Sequence, residues 1–374
     1  MRHHRVLTSW IAIVGALCAL SAWGQAADTK GFSLVDGESP GSLDVVCDGQ
    51  IVGRYMYAHD TSTPALRHDT YKPYLHVFDA QGQAPITKGP GGLFTHHRGI
   101  FIGWNKIGCN GKNFDRWHMS GGEQVHQTFS ARQADADHAT FTSVVHWNDT
   151  AGKPLIEEAR SMTFRRAPAP AYALIDFEST LKATAGDVTL DGDPEHAGIQ
   201  FRPADEVDKA KTTYVYAGPE ISPHKATDLA WIGETFWLDG QSYSVVQMNH
   251  PDNPAGTRIS AYRNYGRFGM FPTATIKAGE TRTFRYRFLV AAGEMPAAEM
   301  IQAACNAFTG KSDEAPAVTI KRAEERQSSP TRASEMPIDG PTFSMFSVSR
   351  PGTRPTRLGS SPASGGPRES TAGT

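Results

Sequence analysis

Two neighbouring histidines and an arginine, His96, His97 and Arg98, stand at the mouth of an apolar run in "LFTHHRGIFIGWNKIG", Leu93 to Gly108. An imidazole titrates near neutrality and works as acid, base or metal ligand, and a guanidinium grips planar oxygen pairs. A strand entering a core needs none of these at its start, so the trio reads as one wall of a site. A second set lies in "EHAGIQFRPA", Glu195 to Ala204. In an extended chain Ala197, Ile199 and Phe201 face one side, while His196, Gly198, Gln200 and Arg202 face the other. The first side is core. The second is a row of donors spaced about 7 Å apart, suited to a polar ligand lying along a sheet; its plainer reading is a solvated sheet face. "LDGDP" just before it brings Asp191 and Asp193 to the same strand mouth.

Two loops add candidates. "NFDRWHMSGGEQVHQ", Asn113 to Gln127, holds Asp115, Arg116, Trp117, His118, Glu123 and His126. Trp117 is either a stacking platform for a pyranose ring or a core plug. "NHPDNPAGTRISAYRNYGRFG", Asn249 to Gly269, opens as a loop stiffened by two prolines and supplies His250, Asn253 and Tyr265, unless it is a plain hairpin connection.

These residue types suit cleavage or rearrangement of a sugar C–O bond, which needs a proton donor near the leaving oxygen and a base opposite. The expected catalytic group is His96, His97, Glu195 and His196, with His97 or His96 as acid and Glu195 as base. Arg98 and Arg202 are expected as clamps, and Trp117, His118, Gln200, His250, Asn253 and Tyr265 complete the binding set. Were hydrolysis run by paired carboxylates, Glu195 with Asp193 or Asp115 would be the pair. In a metal variant, His96, His118, His126, His196 and Glu195 hold Zn, Mn or Fe with a coordinated water as nucleophile. No close ligand spacing marks such a site, and the reading taken forward assigns no cofactor and no metal ligands. A non-catalytic sugar-binding envelope protein is the alternative of a different class. There is no G-x-S-x-G, H-E-x-x-H, P-loop or dinucleotide glycine fingerprint.

Strands must position these groups. "RTFRYRFLV" alternates Phe284, Tyr286 and Phe288 with Arg285 and Arg287, the period of a half-buried strand. "ATFTSVVHW", "YALIDFESTL" and "YSVVQM" are β-branched or aromatic runs between turn signals. One helix is expected, over Met295 to Gly310, with Pro296 near its start and Gly310 to stop it. Many short strands and no fixed-period repeat predict an all-β fold, a large antiparallel β-sandwich with one C-terminal helix.

The chain should divide into three parts. Residues 1–26 read as a cleaved signal peptide, with Arg2 and Arg5 before an apolar run too short to span a bilayer. Residues 27–310 form the sandwich domain, and 311–374, rich in Ser, Pro, Thr, Gly and Arg, form a disordered tail. Loss of the leader moves the formal charge from -2 to about -4, which excludes a case for nucleic acid as partner. A small carbohydrate is the expected partner, the protein is expected in the periplasm or secreted, and no membrane span or oligomeric state is predicted. Cys47, Cys109 and Cys305 are too few and scattered for a disulfide framework.

The order of several long motifs resembles a known family. "THHRGIFIGWNKIGCNGKNFDRW", "HWNDTAGKPLIEEARSMTFR", "DGDPEHAGIQFRPA", "MNHPDNPAGTRISAYRNYGRFG" and "IKAGETRTFRYRFLV" are similar to bacterial exported proteins of the PmoA family, also labelled methane oxygenase PmoA. The resemblance runs from about Arg54 to Val290. It implies a galactose-mutarotase-like sandwich among carbohydrate-utilisation proteins, and carries attention to His96, His97, Arg98, Glu195, His196, Arg202, His250, Asn253 and Tyr265. The chain has no apolar stretch of about 20 residues after its leader, so a membrane methane-oxidising role is excluded.

Overall fold

A computed structural model describes residues 30–193 and 195–324; the expected leader, and the tail past Glu324, lie outside the described residues. All strand pairings in its three sheets are antiparallel. The first large sheet has eight strands, in the order Phe32–Asp36, Ser42–Cys47, Gln50–Met56, Tyr74–Val77, Ile100–Trp104, Ala197–Phe201, Phe268–Phe271 and Arg258–Ala261. The second has nine: Val318–Arg322, Thr213–Ala217, Trp231–Leu238, Gln241–Asn249, Thr281–Ala292, Ala171–Ala183, Pro154–Arg165, His138–Asn148 and Gln124–Ala134. A small sheet joins Ala274–Ile276, Val188–Asp191, Lys106–Cys109 and Lys112–Phe114.

The period-2 pattern builds the sandwich. Phe284, Tyr286 and Phe288 are fully buried in the main core, as the alternation predicts. Trp104 of the eight-stranded sheet meets Trp147 and Phe284 of the nine-stranded sheet at ring distances of 6.0 and 5.3 Å, and Tyr55 meets Phe141 at 5.0 Å. The two sheets therefore share one apolar interior. The outer face of the nine-stranded sheet is covered by the helix Ala298–Thr309, whose Ile301 and Cys305 pack on Val246, Met248 and Leu289. Gly310 ends this helix in the left-handed region at φ 70°, donating its N–H to the Asn306 carbonyl, as expected.

Two expectations change. A second helix, Pro64–Thr70, starts at the N-cap Thr63 and a proline in its first turn. The chain also stays ordered past Lys311: Val318–Arg322 adds an edge strand beside Thr213–Ala217, because Val318 and Ile320 lie in a β-branched run with its own backbone partners, so the tail cannot begin at 311.

A buried polar chain ties the sheets together near the loops of interest. Glu158 and Arg160, both fully buried, form an ion pair at 2.8 Å. Trp147 Nε1 and the Ser179 hydroxyl donate to the same carboxylate. Arg160 also donates to Gln124 Oε1 and to the Pro73 carbonyl, and Gln124 Nε2 crosses to the Ile102 carbonyl of the other sheet.

Candidate functional site

The site is built where Ile100–Trp104 pairs with Ala197–Phe201. Their core-facing residues are Ile100, Ile102, Trp104, Ala197, Ile199 and Phe201, so Phe101, Gly103, Gly198 and Gln200 face outward. Antiparallel pairing puts the starts of these two strands at opposite ends, which should separate His96 from His196. The chain before Ile100 overcomes this by turning back on itself. Phe94 adopts a left-handed φ of 55° and its carbonyl accepts from the His97 N–H. Gln200 Nε2 holds the Arg98 carbonyl from beneath.

A second loop lies directly on the sheet. A Cβ on Gly103 would sit 2.1 Å from the Arg116 carbonyl oxygen. Glycine is therefore what allows this backbone to rest there and deliver His118. Arg116, fully buried, staples the loop through the carbonyls of Asp115, Ser120, Gly121 and Asn148. Phe101 and Trp117 pack at 4.9 Å beneath it.

The result is a cluster of imidazoles. One nitrogen from each of His96, His118 and His196 lies within 4.8 Å of those of the other two. Their ring centres are 4.4 Å (His96–His118), 4.8 Å (His118–His196) and 6.0 Å (His96–His196) apart. Two rings are anchored alike. His118 Nδ1 lies 2.7 Å from Asp115 Oδ2, and His196 Nδ1 lies 2.7 Å from Asp193 Oδ1. Each aspartate is itself braced: Asp115 accepts the N–H groups of Trp117 and His118, and Asp193 accepts from Glu195 N–H and Asn105 Nδ2. With Nδ1 committed, Nε2 is the nitrogen each ring presents. His96 Nε2 is buried and has no hydrogen-bond partner among the described residues.

The electrostatics fit ligands better than acids. Burial lowers the His96 pKa far below the usual imidazole range, helped by the charges of His118, Lys72, His196 and Arg267. Burial does the same to His97, helped by His96 and Arg267. Both shifts favour the neutral ring, which presents one N–H donor and one bare nitrogen. Asp115 stays ionised, because bonds from His118 and the backbone outweigh the upward push of burial. Glu195 is likewise held below its ordinary range: burial raises it, but the Arg267 charge and the bonds from Arg263 and Tyr262 prevail.

Only some of the expected residues converge. His96, His97, His118 and His196 do converge, with the His97 ring edge-on to His96 at 4.4 Å. Glu195 stands beside them in sequence but turns its carboxylate to Tyr262 Oη at 3.1 Å and to Arg263, so it is not a fourth member of the cluster. Arg98 and Arg202, expected as clamps, are fully buried. Arg98 donates to the carbonyls of Thr95, His97 and His68, and Arg202 to those of Pro203 and Tyr265 and to Asp205; they hold loops. Gln200 is buried under the Arg98 carbonyl rather than open to a ligand. Trp117, at 0 % exposure, is the core plug and not the platform, and Tyr265 is buried against Phe94 and the Arg202 guanidinium. His250 and Asn253 line a different cavity of about 230 Å³ beside the C-terminal helix. His126, considered as a ligand, bonds Ser143 and packs between Tyr57 and Phe129.

Arg267 was not anticipated. It is 2 % exposed, yet its one hydrogen bond goes to Ser260 Oγ, at 2.6 Å, and it forms no ion pair among the described residues. Its charge nevertheless acts on His96, His97 and Glu195. The sequence signal overlooked is the repeated Asp-x-x-His of Asp115–His118 and Asp193–His196. The same spacing recurs at Asp135–His138 in an exposed turn, so it signals an Asp–His pair and not its use.

A separate depression of about 420 Å³ is lined by Arg54, Met56, Lys72, Tyr74 and His76 among others. Tyr74 and His76 alternate with the core residues Leu75 and Val77, so it lies on the same sheet face, but no residue of the histidine cluster lines it.

Fold and site together define an antiparallel β-sandwich with a carboxylate-braced histidine cluster on one sheet face. The chain belongs to DUF6807, a family of unknown function, whose model matches residues 42–305; the PmoA name is not supported by this match. No curated protein matches. Similar solved structures include a heparan sulfate lyase mutant from Pedobacter heparinus, at 10% identity over 71% of this chain and 37% of that one, TM-score 0.37. Another is a glycoside hydrolase family 97 enzyme from Pseudoalteromonas sp. strain K8, at 14% over 72% and 36%, TM-score 0.35. A third is a GalM/aldose epimerase homologue from C. elegans, at 7% over 70% and 100%, TM-score 0.30. The chain spans less than half the length of the first structures it matches. Among the described residues no helix is long and apolar enough to cross a membrane.

Proposed function

We propose that this protein is an exported enzyme acting on a carbohydrate, as a hydrolase or lyase, at the face formed by His96, His118, His196, Glu195 and Arg267. The observation that carries the reading is the convergence of three imidazoles from three separate loops, two of them braced by carboxylates. One braced histidine is ordinary, as Asp135–His138 in an exposed turn shows; three rings meeting at one point, two of them braced, suit groups that must keep one orientation toward a ligand. Glu195, kept ionised, is the base. Arg267, buried with a single side-chain partner among the described residues, is the donor for a sugar carboxylate or a pair of neighbouring hydroxyls. The leader-like N-terminus supports export.

A non-catalytic capture module is the weaker reading, because it relies on aromatic faces open to a sugar ring, and both Trp117 and Tyr265 are buried.

Purified protein is to be assayed against glycosides, 3-keto-glycosides and uronides. Glu195→Gln is expected to lower kcat by about 10²–10⁴-fold, and Arg267→Gln chiefly to raise KM. Absence of turnover on all three classes, or wild-type turnover in Glu195→Gln, contradicts the reading.

A further inference from the structure

We propose that His96, His118 and His196 together hold one divalent first-row cation, Zn²⁺ in the first instance, and that Asp115 and Asp193 are the outer partners that aim two of the rings. The inference concerns the same face as the sugar-acting reading and rests on that reading only for what the ion would do to a substrate.

Four observations carry it. The donor set is all imidazole, which favours Zn, Cu, Fe or Ni over the hard cations Mg and Ca. The three nitrogens lie within 4.8 Å of one another; metal–nitrogen bonds of about 2.0–2.1 Å need separations of about 3.5 Å, so the rings must close by little more than about 1 Å. Side-chain rotation on loops supplies that. The two Asp–His pairs reproduce the carboxylate–histidine arrangement in which the outer carboxylate fixes the tautomer and sharpens the ligand; both pairs are 2.7 Å long. Finally, His96 Nε2 is buried without a hydrogen-bond partner among the described residues, which is costly for a polar atom unless something else satisfies it.

The alternative, a purely structural histidine cluster, leaves three features unexplained. Ring nitrogens that merely packed would bond each other or the backbone. Instead no hydrogen bond joins the three rings among the described residues, and each aspartate takes Nδ1 and leaves Nε2 unengaged. The rings are also reachable: the side chains of His118 and His196 are 34% and 29% exposed. Three protein ligands leave a fourth position open, the arrangement of a working rather than a structural centre. That position suits a water or a sugar oxygen.

The test uses the whole mature protein, stripped with a chelator and titrated with Zn²⁺ and with Co²⁺. One equivalent per chain is expected by calorimetry and elemental analysis. Co²⁺ should give visible absorption of the intensity that marks a four- or five-coordinate ion, and Zn²⁺ should raise the unfolding temperature of the stripped protein. His118→Ala and His196→Ala should abolish stoichiometric binding, and Asp115→Asn and Asp193→Asn should each weaken it about 10- to 100-fold. His126→Ala, outside the cluster, should bind as wild type. Folding of each variant is checked by circular dichroism, and the aspartate variants, which keep all three ligands, carry the test if an alanine variant does not fold. No stoichiometric binding by the wild type overturns the proposal, as does undiminished binding by folded His118→Ala. One equivalent bound without turnover of any sugar upholds the metal site and removes the sugar-acting reading. Chelator-resistant sugar turnover with no bound ion does the reverse.

Discussion

A carboxylate decides its neighbour's role by where it is held, and three acidic residues illustrate this. Asp115 and Asp193 are satisfied by backbone and side-chain donors and stay charged, so they can steady an imidazole. Glu195 is pulled to Tyr262 and Arg263, which leaves it ionised beside the cluster. Glu234 is the contrary case: it is fully buried, and the Tyr214 hydroxyl near it donates to the Arg263 carbonyl instead. Burial pushes its pKa well above the ordinary value despite the nearby Arg202. The folded state therefore keeps a proton that the unfolded chain releases. Stability contributed by that proton is complete below the ordinary carboxylate range and declines as pH rises through and above it, by up to about 1.4 kcal/mol per pH unit. Glu234→Gln should match the wild type in unfolding temperature near pH 4 and exceed it increasingly toward pH 8. Parallel curves across that range would contradict this account of Glu234.

Among elements, the loops carry the chemistry and the strands only locate it. The loop bearing His118 depends on its seat at Gly103, where a methyl group would meet the Arg116 carbonyl at 2.1 Å. Gly103→Ala should lift that loop, cost about 1–3 kcal/mol as overpacking does, and weaken cation binding at least tenfold, read by calorimetry beside a melting curve. Wild-type affinity would show that His118 does not depend on this seat. The Glu158–Arg160–Gln124 chain makes a different prediction. Removing one charge strands the other in the interior, so Arg160→Met should destabilise by about 3–5 kcal/mol, whereas Glu158→Gln combined with Arg160→Met should recover much of the loss. Denaturant unfolding of the single and double variants distinguishes this from simple loss of packing, in which the two changes would add.

For the molecule as a whole, the sandwich was legible because strand alternation is local. Phe284, Tyr286 and Phe288 point inward for the reason their spacing implies, and Gly310 stops its helix as a left-handed cap should. The site was legible only in part. His96, His97 and His196 could be singled out by type, but the pairing of their strands puts His96 and His196 at opposite ends, and it is the turn at Phe94 that brings them together. Strand spacing nonetheless does not place His96 and Arg98, because that segment is a turn with Phe94 in a left-handed conformation and not the start of a strand. Nor does it place the His196–Arg202 row, since side chains on the outward face of a sheet are buried when loops lie over it, as Gln200 and Arg202 are. Arg267 could not be found from spacing, because what distinguishes it is the lack of a second side-chain partner among the described residues, a property of three-dimensional packing. The edge strand Val318–Arg322 was hidden by the composition of the segment that follows it.

The most direct measurement is anomalous diffraction from crystals of the protein grown with Zn²⁺, recorded on either side of the zinc absorption edge. The account predicts one strong peak within about 2.0–2.1 Å of a nitrogen of each of His96, His118 and His196, with Asp115 and Asp193 still on Nδ1 of their rings. Zinc bound only elsewhere, or three rings turned apart with no peak between them, would contradict it.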